Sequence, residues 1–402
     1  MAHSVEKSWQ IWREAEQLIG AGTGTLSKRP KYEGDEPGCL VRGKGCRVWD
    51  ADGNEYIDFR NSLGPITLGY CFPAVDQAIR EQLDKGIVFG HPHAIEVELA
   101  RELVEVIPCA EKVRFLKTGG ESMAACIRLA RAFTGRPRIT TCGYHGWINS
   151  GAGPAKGVPQ AVADLQTNLA YGDIDAFKNY LDQYDKETAC MCVAASYAMV
   201  GNDDDFPPKL RKLTREHDVL LVYDEIVTGF RVRIGGMQEF TGAVPDLATF
   251  AKGVANGMPL SVYCGRADIM DRCADVGVSS TYSGETLSIA AGLAAVKTYR
   301  TQDVIGHIYA RGQQFMDGAN ERFAKHGLEF KVTGYPACPM IGVHVADPTQ
   351  RTSANEAFWR AAYRNGVSLY SLAYCNFSHT EADIDEALDR LDAAMGEVAS
   401  KT

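Results

Sequence analysis

The feature that most constrains the fold is an alternation through the middle of the chain. From about Pro73 to about Thr298, short apolar runs recur between helical stretches of roughly ten to fifteen residues. The runs are Val113–Leu116, Arg138–Cys142, Met191–Ala195, Val219–Tyr223, Leu247–Phe250 and Leu260–Tyr263. Strands that are apolar at nearly every position must be covered on both faces, and connecting helices supply that cover. The pattern predicts an α/β fold built on a mainly parallel sheet, with any ligand held beyond the carboxyl ends of its strands.

The flanks read differently. Residues 5–19 space Trp9, Trp12, Ala15 and Leu18 for one helical face, and residues 20–37 form an arm and loop rich in Gly, Thr, Lys and Pro. Cys46–Phe59 gives two strands around the Asp52-Gly53 turn, a hairpin signature. After a long helix near Leu287–Tyr299, helices near 302–326, 353–365 and 381–399 and strands near Phe330 and Met340–His344 suggest a smaller α+β domain. The expected division is 1–60 as helix, arm and hairpin contributing to the small domain, 61–298 as the large cofactor-binding domain, and 299–402 as the C-terminal small domain.

A net charge of −9 without a dense basic run argues against nucleic acid or an anionic membrane as partner and points to small molecules. The twelve cysteines are scattered through apolar stretches, as in a cytoplasmic protein. Cys190-Met-Cys192 lies in an apolar run without a second pair or nearby His, so a buried strand is expected there and no metal site. The charged N-terminus lacks the apolar core of a signal peptide, and no run approaches the ~20 apolar residues of a membrane span. A soluble, cytoplasmic protein is expected.

The residues that carry chemistry cluster at predicted strand ends. Asp224 closes the strand Val219–Tyr223, where an unpaired carboxylate would be costly, and Lys252 follows the strand Leu247–Phe250 and precedes glycines. An ion pair would explain the first and a solvated lysine the second. Together they form the pair that a pyridoxal phosphate (PLP) enzyme needs: an amine for the Schiff base and a carboxylate that keeps the pyridine nitrogen protonated. The freed amine of Lys252 is also the natural base for moving the substrate proton. Thr118-Gly119-Gly120 opens a helix whose N–H groups suit a phosphate, or is a plain N-cap. Tyr144 could stack on the cofactor ring, opposite Ile226, with Trp147 toward substrate; a surface aromatic cluster is the alternative. Ser279–Thr281 offers hydroxyls to a phosphate, or simply starts a helix.

These residues, with Trp49–Asp58, Ile127–Gly135, Gly143–Gly146, Asp224–Arg231, Ala251–Gly253 and Asn256–Pro259, resemble the class III, fold-type I PLP aminotransferases. The resemblance is strongest to the glutamate-1-semialdehyde aminomutase-like branch and runs from about Gly45 to about Ala294. It implies a homodimer with the active site at the subunit interface. Thr281 of one subunit would bind the phosphate held by Gly119 and Gly120 of the other. An amino donor, usually glutamate, would load the cofactor, and an aldehyde or ketone would accept the amine.

Three departures bear on the substrate. Ser27 stands near the place of the aminomutases' carboxylate-gripping arginine, with Lys28 and Arg29 beside it. Leu63 replaces an aromatic residue, and Ala194–Tyr197 lacks the usual Glu-Pro. Gly143–Trp147 and Ser283–Ser288 look more like a branch found with bacterial surface-polysaccharide (lipopolysaccharide) synthesis, whose acceptors are sugar aldehydes or keto-sugars, such as the C8 aldehyde of an octulosonate. Asn61, Ser62, Asn149, Ser150, Ser196 and Tyr197, together with Trp147, could then read hydroxyls, or could be turn residues. The other readings are a 2,1-aminomutase and a non-catalytic PLP-binding assembly protein.

Overall fold

The structure is a computed structural model that describes residues 3–148, 156–194 and 205–400. In chain order its strands are β1 Leu40–Lys44, β2 Arg47–Asp50, β3 Glu55–Asp58, β4 Lys112–Leu116, β5 Arg138–Cys142, β6 Gln166–Asn168, β7 Thr188–Ala194, β8 Leu220–Asp224, β9 Leu247–Phe250, β10 Ser261–Gly265, β11 Phe330–Thr333, β12 Met340–Val343 and β13 Val367–Ser368. The chain divides into two compact units. One comprises Gly64–Thr67 and Pro73–Ile305, the other Met1–Leu63, Leu68–Phe72 and Gly306–Thr402.

The first unit is built on a seven-stranded sheet in the order β4-β10-β9-β8-β7-β5-β6. Strands β6, β5, β7, β8 and β9 run parallel, and β10 is antiparallel to both β9 and β4. All seven residues of β7 are buried, Cys190 and Cys192 among them, as a strand covered on both faces requires. The Gly119–Thr134 helix packs Met123, Cys126 and Leu129 against Ile139, Cys190, Val222 and Leu247. Truncating one such side chain to Ala removes about 2–5 kcal/mol. Thr118 caps the helix N-terminus in a reciprocal capping box with Glu121, and Gly135 ends it in a left-handed turn at φ 70°. The Pro73–Leu83 and Thr286–Thr301 helices pack against one another. Among the described residues, no helix is long and apolar enough to cross a membrane.

The second unit carries a four-stranded sheet, β1-β2-β3-β13, and the β11–β12 pair. The Asp-Gly turn closes the antiparallel β2–β3 hairpin in the register Arg47↔Ile57 and Trp49↔Glu55, as its sequence predicts. Helices Val304–Lys325, Pro348–Arg364 and Glu381–Ala399 enclose a core of Phe59, Phe315, Phe323, Phe358, Ile384 and Leu391. In the first helix, Glu6–Leu18, the expected apolar face is only half used. Trp9 and Trp12 are buried with Val5, and the Trp9 indole donates to the Glu36 carbonyl at 2.6 Å, but Leu18 is 76% exposed. The helix ends at Leu18, and the chain turns at Gly20–Gly22.

Candidate active site

The carboxyl ends of β4, β5, β8 and β9 carry the residues that the sequence singles out in the first unit. Asp224 is the last residue of β8 and is 7% exposed. Its Oδ1 accepts from the Ile226 N–H at 3.1 Å, and its Oδ2 lies 2.9 Å from Nδ1 of His145. His145 is itself buried, and its Nε2 lies 3.1 Å from the Cys142 carbonyl at the end of β5. A carbonyl and a carboxylate both accept, so the imidazole is placed between two acceptors and satisfies both only when each ring nitrogen carries a proton. A buried carboxylate with these donors is held in one orientation and presents its edge to whatever cation or N–H stands before it.

Glycines let three loops converge here. A Cβ on Gly119 would overlap the Ile226 Cδ1 methyl and lie 3.0 Å from its Cγ1. One on Gly146, where φ is 84°, would lie 2.9 Å from the Gly120 Cα. Gly120 has room, its nearest neighbour being the Ile148 side chain at 3.5 Å. The Thr118 hydroxyl accepts from the Glu121 N–H at 3.4 Å and donates to its carboxylate at 2.9 Å, so it is committed to the cap. The Gly119 and Gly120 N–H groups, first in the helix, have no intrahelical acceptor and sit at the positive end of its dipole.

Lys252 follows β9 by two residues and opens the turn Lys252–Ala255 with a left-handed φ of 48°. Asp224 pairs with Thr249 in the parallel β8–β9 ladder, which sets the lysine and the carboxylate at the ends of neighbouring strands. A non-glycine residue at such a φ costs of order 1 kcal/mol or more, and it persists because its surroundings hold it. The Tyr299 hydroxyl donates to the Gly253 carbonyl at 2.9 Å, and a Cβ on Gly253 would lie 2.9 Å from Thr67 Oγ1. The turn is therefore fixed on both sides.

The other candidates divide. Tyr144 and Trp147 are 63% and 81% exposed, and Thr281 is exposed in the turn before the Thr286–Thr301 helix. Ser62 lies in the second unit in the turn Asn61–Leu63, at φ 54°, and accepts from Lys28 Nζ at 2.9 Å. Ser27 offers only its carbonyl, to Arg60 Nη2 at 2.6 Å. Asn149, Ser150, Ser196 and Tyr197 lie outside the described residues.

Sequence reasoning passed over three features. His145 stands inside a motif that it read for Tyr144 and Trp147, and a His three residues beyond a strand end was the available signal. In the sequence Lys28 stands only as a cation displaced beside Ser27. The ion pair between Lys117 and Glu285, at 2.8 Å, joins residues that no local pattern connects. Glu225 turns away from Asp224 to accept from Thr228, from the Met237 N–H at 2.8 Å and from the Gln238 N–H at 3.1 Å, and burial pushes its carboxyl up to about 7.

The donor set fits PLP. Two free helix-end amides suit a phosphate, a buried and oriented carboxylate suits a protonated ring nitrogen, Ile226 offers an apolar face and Lys252 an amine. The comparisons agree. Residues 31–395 match the family model described as Aminotransferase class-III. A glutamate-1-semialdehyde 2,1-aminomutase from Aquifex aeolicus (strain VF5) is 34% identical, over 98% of this chain and 100% of that one. A structure of the PLP internal aldimine form of the Sphingopyxis sp. MTA144 FumI protein superposes with a TM-score of 0.92 at 27% identity, over 98% of this chain and 97% of that one. An omega-transaminase from Sphaerobacter thermophilus gives 0.89 at 26% identity, with 97% of each chain covered.

Proposed function

The chain belongs to the class-III aminotransferases and is a PLP-dependent transaminase of fold type I; from that premise we propose that it moves an amino group from a separate donor, glutamate, to the carbonyl of an acid-bearing aldehyde or ketone. PLP, when bound, supplies the electron sink that stabilises the carbanion. In this reading Gly119 and Gly120 bind the phosphate with their N–H groups, aided by the partner's Thr281. Asp224, oriented by His145 and the Ile226 N–H, holds the proton on the ring nitrogen. Ile226 and Tyr144 would flank the ring, and the Lys252 amine would hold the cofactor and carry the proton from the substrate carbon.

What supports an acid-bearing sugar as acceptor is the sequence: Ser27 stands near the place of the aminomutases' carboxylate-gripping arginine, and Gly143–Trp147 and Ser283–Ser288 resemble the branch found with surface-polysaccharide synthesis. A sugar acid with a terminal aldehyde, such as the C8 aldehyde of an octulosonate in lipopolysaccharide biosynthesis, meets this description and yields an amino sugar acid. The relatives' names favour the second reading, a 2,1-aminomutase that keeps the amine on one carbon skeleton.

A homodimer with shared active sites is part of the proposal. Ile87, Val88, Phe89 and Tyr282 are exposed, and Thr286 ties their segments together by donating its N–H to the Ile87 carbonyl at 2.9 Å. Exposed apolar groups so concentrated mark an association surface. The test is a screen of donors and acceptors with mass spectrometry of the product. Glutamate should bleach the bound cofactor, and an acidic sugar aldehyde should restore it while gaining an amine. Turnover of glutamate-1-semialdehyde without an added donor, with no sugar acid aminated, would overturn the proposal in favour of the aminomutase.

A further inference from the structure

Lys117 and Glu285 are 168 positions apart, yet their side chains meet at 2.8 Å and are only 15% and 12% exposed. Each belongs to a different half of a phosphate site. Lys117 precedes Thr118 at the end of β4, and its N–H is bound by the same Glu121 carboxylate, at 3.2 Å, that caps the helix carrying Gly119 and Gly120. Glu285 closes the turn that displays Thr281 and Tyr282. Its N–H donates to the Tyr282 carbonyl at 3.1 Å, and the Ser283 N–H donates to the Ser280 carbonyl at 3.2 Å. Its carboxylate also accepts from the Leu287 N–H at 2.6 Å and from the Ser288 hydroxyl at 2.6 Å. Although burial alone would raise the Glu285 carboxyl, Lys117 and Ser288 hold it below the usual range.

Taking two charges even partly out of water is costly, so a half-buried ion pair is poor stabilisation by itself; the attested use of such a pair is to fix a register. Here it fixes the Thr281 turn against the glycine cradle of the same subunit. We propose that Lys117 and Glu285 are positioning residues that couple the two PLP phosphate sites of the dimer. Through this pair, each subunit's cradle for its own cofactor and the Thr281 turn that it lends to its partner adopt one geometry together. The inference rests on the shared-site dimer proposed above. The pair joins the end of β4, before the cradle, to the end of the Thr281 turn, so its loss would loosen both together.

The test uses dimers of the full chain mixed from two subunit types, one of them carrying Lys252→Ala. Borohydride fixes PLP only to the subunit that retains Lys252, so the fraction fixed against free PLP reports occupancy of that one site. Lys117→Met is placed either on the reporting subunit or on the Lys252→Ala subunit. It leaves the Glu285 cap intact. The coupling predicts that both placements raise the half-saturating PLP concentration, by roughly 5- to 100-fold, and that Lys117→Arg restores most of it. A shift only when Lys117→Met sits on the reporting subunit, or none in either placement, overturns the coupling. So does a failure of Lys117→Arg to restore most of the affinity in a protein that melts as wild type does. A monomer by light scattering that binds PLP at full affinity would instead remove the dimer reading, and the coupling with it.

Discussion

The His145–Asp224 contact offers the sharpest test of the active-site geometry. His145→Leu fills the buried space with an apolar group and strips one donor from the Asp224 carboxylate and one from the Cys142 carbonyl. A hydrogen bond to a charged group is worth roughly 1.5–3 kcal/mol. At about 1.4 kcal/mol per decade, the donor half-reaction should slow by roughly 10- to 100-fold. The assay is single-turnover loading of the cofactor by glutamate, followed by cofactor absorbance.

Two further variants separate this from a packing defect. An Asn side chain sets its amide nitrogen near the former Nδ1 and can still donate to Asp224, whereas a Gln sets it near Nε2 and serves only Cys142. His145→Asn should therefore keep a rate near that of the wild type, and His145→Gln should behave like His145→Leu. If all three lose rate equally, or if His145→Leu leaves the rate unchanged, the imidazole does not orient Asp224 and the reasoning fails.

Other consequences are independent of that contact. Glu225 has its carboxyl raised to about 7 from 4.5, so the stability linked to its neutral form is complete below pH 4.5 and is lost as pH climbs through 7, a change of at most about 3 kcal/mol. Chemical denaturation at a series of pH values should show that Glu225→Gln removes this slope; a slope that persists assigns it to another group. Gly119→Ala must displace Ile226 and should weaken PLP binding in equilibrium titration, while the double variant with Ile226→Ala should bind better than Gly119→Ala alone. Equal weakening in the two would place the loss in the backbone rather than in the overlap.

The parts of this fold legible in the sequence are those in which one residue's burial is decided by its immediate neighbours. Strands β7, β8 and β9 are apolar at nearly every position, and so are recognisable without knowledge of what covers them. Strand β6, Gln166–Asn168, is polar and exists only because the edge of β5 offers it hydrogen bonds, so its signal lies in another part of the chain. Leu18 has the spacing of the buried helix face, yet it stays exposed, because burial there is decided by more than spacing. In the site, Asp224 and Lys252 are legible because a charged residue ending an apolar strand demands an explanation. His145, Lys28 and Lys117 escape because their meaning lies in partners 79, 34 and 168 positions away.

The acidic pair Asp224-Glu225 shows how finely this distinction runs. Read along the chain, the two carboxylates are equivalent: adjacent, at the same strand end, and both buried. Successive side chains on an extended backbone point to opposite faces, so the two cannot serve one site. Asp224 faces His145 and the glycine loops, where a ligand can meet it; Glu225 faces the Met237–Thr241 helix and spends its acceptors on that helix's first N–H groups. Gly236, at φ 80°, is required there because a Cβ would lie 2.5 Å from the Glu225 carboxyl carbon. Glu225 is thus the buttress that fixes the loop after β8, and it fixes the direction in which Asp224 must point. Exchanging the two residues would keep composition, charge and local pattern, yet it would put the longer side chain against His145 and the shorter one out of reach of Met237, emptying the site of its oriented carboxylate.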